Sequence, residues 1–537
     1  MPSRRETILR HLSRALLIPG LMALGAAQAQ AQTRPQPQVL RAVLNTELQV
    51  LDPIVTTTNA ARVFAYMVFD TLVSLDSHGG YRPQMLEGWQ VSEDRLTWTF
   101  RLRDGLEFHD GTPVTAEDCV ASIRRWAARD SFGTQLMRAT TEMRVVDSKS
   151  FEIRLSRPFA FVVEALGRPG NQIPVMMPAR LASLPASAPV PEVMGSGPFT
   201  FRRGEWRPGE RAIFDRNPRY RPRTEPADAL AGGKVVRFDR VELISIPDAA
   251  TRLSALQTGE VDFLEIVPGD FIPALLRDRN ITVSRPQGTD QIMSILQINH
   301  AQPPFNNLLL RRAAQQAIRQ SEVMASLGLP ENLTLPWCGS IYMCNAPGST
   351  DAGTEALREP SLERARALLK EAGYNNEPLV FLHAQDSVTL NPTALVMADQ
   401  LRKAGFNVDL RTSDYATVAQ RRLNTNPVDQ GGWSAAAVIW NGIDLINPIG
   451  NFGTGNNCVP GYPGSYCDPK MTELLRRYSE APTPEEQRDL AGQIQAEFHS
   501  HVNVIFGGQF SAASAHRANL KGLVPFAIPV FWNVERQ

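Results

Sequence analysis

Between Gly431 and Pro448 the chain reads Gly-Gly-Trp-Ser-Ala-Ala-Ala-Val-Ile-Trp-Asn-Gly-Ile-Asp-Leu-Ile-Asn-Pro. Ala435 to Ile439 is a short apolar run of the kind a buried strand needs. Trp440, Asn441, Gly442 and Asp444 then stand at its carboxyl end, where open α/β sheets place ligands, and Trp433 belongs to the same segment. An aromatic wall beside one carboxylate is binding chemistry. The carboxylate can stay ionised and accept a charge-assisted hydrogen bond from an amine. The plainer alternative is that Asp444 caps a turn and Trp440 is core. Asn299 and Gln385, with Asp386 beside it, each follow a predicted strand and are further candidates, against an ordinary turn or cap role. Thr58 and Asn59 end a small polar loop before an apolar helix predicted from Ala60 to Leu72, and read on their own as an N-cap cluster.

Nothing in the sequence has the spacing of a catalytic site. Ser196 lies in Gly-Ser-Gly rather than in the G-x-S-x-G turn of a nucleophile elbow. His499 and His501 are two residues apart on a predicted helix end, so they face different sides and do not chelate as a pair four apart would. No triad, P-loop or EF-hand spacing occurs. A binding protein without metal or other cofactor is expected, with an exported hydrolase as the alternative from another class.

Lysine plus arginine and aspartate plus glutamate number 55 each in 537 residues, so no nucleic-acid footprint is visible. Arg4, Arg5, Arg10 and Arg14 precede an apolar stretch from Ala15 to Ala27, and Ala29-Gln30-Ala31 is a small-residue cleavage site. Residues 1–31 are therefore expected to be a signal peptide, cleaved near Ala31, and the mature chain to be periplasmic with a net charge of about −3. Export favours oxidised cysteines. Cys338 and Cys344 bracket one short loop, and Cys458 and Cys467 another. Two local disulfides are expected, with a four-cysteine metal site as the alternative. Cys119 is left over and reads as a buried, inert thiol.

The elements that must carry these residues alternate strands and helices. Trp98-Thr-Phe-Arg-Leu-Arg alternates as a half-buried strand, and Asp104-Gly105 and Asp110-Gly111 mark two turns. Thr115 with Asp118 makes a capping box for the helix that reaches Trp126. Val241–Ile244, a helix from Asp248 to Gln257 stopped by Gly259, and Val261–Leu264 form a strand–helix–strand unit. Helices are predicted over 309–325, 362–372 and 392–404, with two more between Tyr478 and His499.

The run Leu102–Asp118 closely resembles the signature of the family 5 extracytoplasmic solute-binding proteins, the peptide- and nickel-type binding components of bacterial ABC importers. Further blocks are similar to that family: Gly195-Ser-Gly-Pro-Phe199, Asn217-Pro-Arg-Tyr220, the set Asp248, Arg252, Leu256, Gly259, Glu260 and Asp262, and Pro304-Phe305 before the 309–325 helix. The resemblance implies an α/β, class II periplasmic-binding-protein fold: two lobes with a hinge and three interleaved domains. Domain I is expected from 32–76, 195–297 and 507–537, domain II from 77–194, and domain III from 298–506. It places the Thr56–Asn59 loop at the cleft and implies that Trp440 stacks on the ligand while Asp444 holds its amine. It implies delivery of a small solute, first of all a short peptide, to an inner-membrane permease with its ATPases, by a monomer. A nickel chelate, an opine and a sensor role remain open alternatives.

Overall fold

The computed structural model describes residues 37–537 apart from 171, 287–289, 347, 460–463 and 465; the expected signal peptide lies outside the described residues. Three sheets organise the body from Gln38 onward. The first has seven strands in the order Ile281–Ser284, Ser514–Arg517, Phe263–Leu264, Val39–Val43, Arg240–Ile244, Arg211–Arg216, Phe199–Phe201. Val39–Val43 runs parallel to both of its neighbours, and the other pairings are antiparallel. Its strands come from the beginning, middle and end of the chain, the interleaving that discontinuous domains produce.

The second sheet has six strands in the order Thr334–Leu335, Val504–Phe510, Ile292–Ile298, Ala435–Asn441, Pro378–Ala384, Asn407–Ser413. Every residue of Ile292–Ile298 and of Val504–Phe510 is buried, as central strands covered on both faces must be. Ile292–Ile298 thus lies in this second sheet throughout. The chain passes between the two large sheets twice, between Ser284 and Ile292 and between Phe510 and Ser514. The passages are tied together: Gln291 Nε2 donates to Ser511 Oγ at 3.0 Å, and Gln509 Nε2 donates to Gln291 Oε1 at 2.6 Å. Gln509 Oε1 also accepts from Cys344 N, fastening the Cys338–Cys344 loop to the same joint. A third, antiparallel sheet of Leu86–Val91, Thr97–Leu102, Ser150–Leu155 and Thr140–Val145 carries the segment expected as domain II.

The Leu102–Asp118 stretch is a seam between this third sheet and the first. The capping box forms: Thr115 Oγ1 accepts from Asp118 N, and Asp118 Oδ2 accepts from Thr115 N. Gly105 and Gly111 have φ of +74° and +89°, and the Arg221 guanidinium lies where a Cβ on Gly105 would stand. His109 N donates to Gly195 O, and its ring meets Gly197 O at 3.2 Å. Arg219 donates to His109 O, and Asn217 Nδ2 to Gly197 O. Gly195 and Gly197 lie against the carbonyl of Val68, too close for any side chain, and Ser196 is buried beside them.

Sequence and structure differ in the helices. The 309–325 segment is two helices, Leu308–Ala317 and Gln320–Ala325, because the Gln400 amide accepts from Arg319 N and donates to Arg319 O, taking over bonds the helix would have used. The helix expected from Pro392 begins at Leu390, since proline is harmless in a first turn. The helix before Pro482 begins at Pro469, just after its cap Asp468, the arrangement proline favours. Both disulfides form, Cys338–Cys344 and Cys458–Cys467. Cys119 is a buried thiol, its ionisation pushed up by burial.

Candidate functional site

Asp444 closes the short turn Gly442–Asp444 that follows strand Ala435–Asn441. It faces the helix Asn59–Val68, an almost wholly apolar element that carries one charge, Arg62. Arg62 donates to Asp444 with both terminal nitrogens, Nη2 to Oδ2 at 2.7 Å and Nη1 to Oδ1 at 3.3 Å. The side chains are 3% and 1% exposed, so this is a buried, two-pronged ion pair joining the lobe of the first sheet to that of the second. Asp444 was expected as an unpaired acceptor for a ligand amine. In the structure its charge is already met from within the chain.

Four residues around this pair carry the polar character of the junction. One helical turn beyond Arg62, Tyr66 is 2% exposed and its hydroxyl has no hydrogen-bond partner among the described residues. Burial pushes its ionisation far up, with Arg62, Asp444, Asp70 and Arg168 the charges acting on it. Arg168 is 4% exposed, yet no carboxylate pairs with it among the described residues. Its guanidinium sits over the Phe132 ring, 4.9 Å from the centroid, and touches the Gly450 carbonyl only at 3.4 and 3.5 Å. A side chain at position 450 would collide with it. Although part of the Glu164 surface is accessible, packing around its carboxyl pushes the pKa up to about 7; Arg168 and the Asn447 amide, which donates to Oε1 at 3.0 Å, oppose the rise. Burial likewise raises Asp130, which caps the helix Ser131–Ala139, against the pull of Arg168.

The lobes meet over a second patch beside these residues. Ala160 N donates to Ser479 O at 2.8 Å, the Phe161 and Tyr478 rings stack at 5.2 Å, and Arg157 pairs with Glu480 at 2.8 Å. The segment 157–168 therefore clasps the second lobe from Asn447 to Glu480.

The other expected residues are spread more widely. Trp433 is fully buried, with Nε1 donating to Arg422 O, and Asn299 is held to Trp433 O at 3.0 Å. Both lie at the start of strand Ala435–Asn441, about 20 Å along it from Asp444, and so away from the junction. Their roles are core and turn. Trp440 is 6% exposed and packs on Phe452, an internal contact rather than an open stacking wall. Gly442 N donates to Gln291 O, which ties the turn to the hinge, and Asn441 is half-buried there. Thr58 caps its helix through its carbonyl, and Asn59 Nδ2 donates to Glu265 Oε1 at 2.5 Å, leaving its own Oδ1 unpartnered among the described residues. Gln385 is exposed at the carboxyl end of the neighbouring strand, with Asp386 accepting from Tyr415 N.

Arg62, Tyr66, Glu164, Arg168 and Asn447 were not singled out by residue type. The available signal was a charge inside an apolar helix at Arg62, and an acid and a base four apart in the apolar run Phe161–Gly170.

A family model, bacterial extracellular solute-binding proteins, family 5 (middle region), matches residues 80–459. A probable peptide ABC transporter periplasmic-binding protein of Sinorhizobium fredii is 35% identical over 97% of each chain. Among solved structures, a periplasmic binding protein of A. tumefaciens in complex with agropinic acid superposes with a TM-score of 0.76 at 22% identity, over 93% of this chain and 99% of that one. A dipeptide-binding protein of a Pseudoalteromonas species in complex with Met-Leu gives 0.76 at 18%, over 93% and 100%. The solved structures share the fold, and the family model and the Sinorhizobium relative establish membership. The chain belongs to the bacterial extracellular solute-binding proteins, family 5.

Proposed function

We propose that the protein is the periplasmic binding component of an ABC importer, and that its lobes close on a small solute carrying a carboxylate or comparable anionic group. One observation carries the ligand class. Asp444 is neutralised by Arg62, whereas Arg168 is buried without an ion pair among the described residues and the Tyr66 hydroxyl without a hydrogen bond. The open groups closest to the pair, the Arg168 guanidinium and the Tyr66 hydroxyl, can both donate, and a buried guanidinium gains most from an anion that it can hold with two hydrogen bonds. Peptides, opines and carboxylate chelates all offer such a group, and the solutes in the Agrobacterium and Pseudoalteromonas complexes do too. Asp444 anchors the second-lobe side of the site, with Thr58, Asn59, Asn441 and Gly442 near it, while Trp440 packs inside the second lobe. No bond of the solute is broken: the cycle is closure, docking on a permease with its ATPases, and opening.

The same reading takes residues 1–31 as a signal peptide, the mature chain as a monomer, and the domains as interleaved at about the expected edges, with domain III beginning ahead of Ile292. The two disulfides fit an oxidising compartment. The test is calorimetric titration with Met-Leu, its carboxyl-terminal amide and agropinic acid, on wild type and Arg168→Met. At least one of the two carboxylates is expected to bind, the amide to bind at least tenfold more weakly than its parent, and Arg168→Met to lose 30-fold or more. Equal affinity for acid and amide, or an Arg168→Met variant that binds like wild type, overturns the anion reading.

A further inference from the structure

Far along the second lobe, three side chains from two helix ends converge on one point. Glu497 and His501 are four residues apart on the helix Pro484–His501 and share a face, with His501 Nε2 3.2 Å from Glu497 Oε1. Asp468 caps the preceding helix, and its Oδ2 lies 3.8 Å from the same His501 nitrogen. One donor atom from each of the three falls within 4.8 Å of the others. A tetrahedral ion with bonds of about 2.1 Å keeps its ligands about 3.4 Å apart, so small side-chain movements bring these atoms onto one ion.

The site is built rather than incidental. Asp468 is fixed through its backbone, with N donating to Asn457 Oδ1 and O accepting from Asn457 Nδ2, both at 2.7 Å, and Cys467 beside it is cross-linked to Cys458. Its carboxylate also accepts from Lys470 N and Met471 N, which holds its orientation and leaves lone pairs free. Asp468 and Glu497 are only 7% and 8% exposed, and two carboxylates so placed repel unless a positive charge lies between them. The nearest ammonium, Lys470 Nζ on Glu497 Oε2, is on a side chain 71% exposed and is easily displaced. Independently, Asn503 is 5% exposed and its amide oxygen has no partner among the described residues. It lines a cavity of about 30 Å³ with His300, Asn457 and Tyr466, and the Tyr466 hydroxyl is within reach of both Asn503 and Asp468. A cavity of that size holds about one water, and Tyr466 is the side chain that both borders it and reaches Asp468.

We infer that Asp468, Glu497 and His501 form a binding site for a divalent transition-metal ion of the zinc type, with solvent in the fourth position. One imidazole with two carboxylates suits Zn²⁺, Co²⁺ or Ni²⁺ better than Ca²⁺, which prefers six or more oxygens. The site stands apart from the lobe junction and does not depend on the solute class proposed above.

The experiment uses tag-free, full-length mature protein. Zinc chloride is added, excess is dialysed away, and zinc per protein is measured by elemental mass spectrometry. Cobalt chloride then reports coordination through its visible spectrum. Wild type is expected to retain one equivalent and to show the intense bands of four-coordinate cobalt. His501→Gln and Glu497→Gln, both without a capping role, are expected to weaken zinc at least tenfold and to lose those bands. Absence of stoichiometric zinc in wild type overturns the assignment, and so does zinc retained equally by both variants.

Discussion

Arg62→Met, Asp444→Leu and the double variant form a cycle on the buried pair that joins the lobes. The side chains are 3% and 1% exposed and meet through two hydrogen bonds, so removing Arg62 strands the Asp444 charge and removing Asp444 takes a two-pronged carboxylate from a buried guanidinium. Stranding a buried charge costs about 3 to 5 kcal/mol. Here the molecule has an escape. Arg62 belongs to the first lobe and Asp444 to the second, so opening returns the stranded group to water. The cost should therefore appear as loss of the closed arrangement rather than as global unfolding. At about 1.4 kcal/mol per factor of ten, the closed-to-open ratio falls by roughly two to three and a half orders of magnitude. In the double variant no charge is left, and apolar replacement of a buried pair is commonly neutral. The assay is X-ray scattering, supported by energy transfer between dyes on the two lobes. Each single variant should expand, and the double variant should return towards wild-type dimensions. Single variants as compact as wild type, or a double variant as open as the sum of its parts, would refute the latch.

Glu164 should make closure pH-dependent. Its folded pKa is raised to about 7 by packing, so its stabilising contribution is complete below the ordinary carboxylate value near 4.5 and is lost as pH rises through 7. The swing is at most about 3 kcal/mol. Scattering from pH 4.5 to 8 should show wild type opening with rising pH, with Glu164→Gln flat over that window; matching profiles for the two would remove Glu164 from the switch. Serine pairs at Cys338/Cys344 and at Cys458/Cys467 should each lower stability by about 2 to 3 kcal/mol, the loop-closure value for such short loops. Guanidinium unfolding measures this, and non-reducing peptide maps with all four thiols free would contradict both cross-links.

Local chemistry was the most legible part of the sequence. The Thr115 capping box, the Asp248 cap with Gly259 in the left-handed region, and the cysteine pairs are each written within a dozen residues, and each forms. The 309–325 helix was misread because the group that breaks it, Gln400, is some eighty residues away. The junction was half legible for the same reason. Residue type and strand-end position pointed to Asp444, but its partner lies 382 residues earlier, and only the fold brings Arg62 to it. Trp433 and Asn299 stand away from the Arg62–Asp444 junction because they lie at the other end of a rigid seven-residue rod.

The two Asp-Gly turns have a consequence for how such chains are recognised. Arg219 and Arg221 press on Gly111 and Gly105, and His109 is knitted to Gly195 and Gly197. The most recognisable wording in the chain is thus upholstery between two rigid panels, and the arginines, tyrosine and acids of the lobe junction are housed elsewhere. On the proposed function, cargo preference is set at a handful of junction positions while the stitching stays as it is, so one chassis can serve many freights.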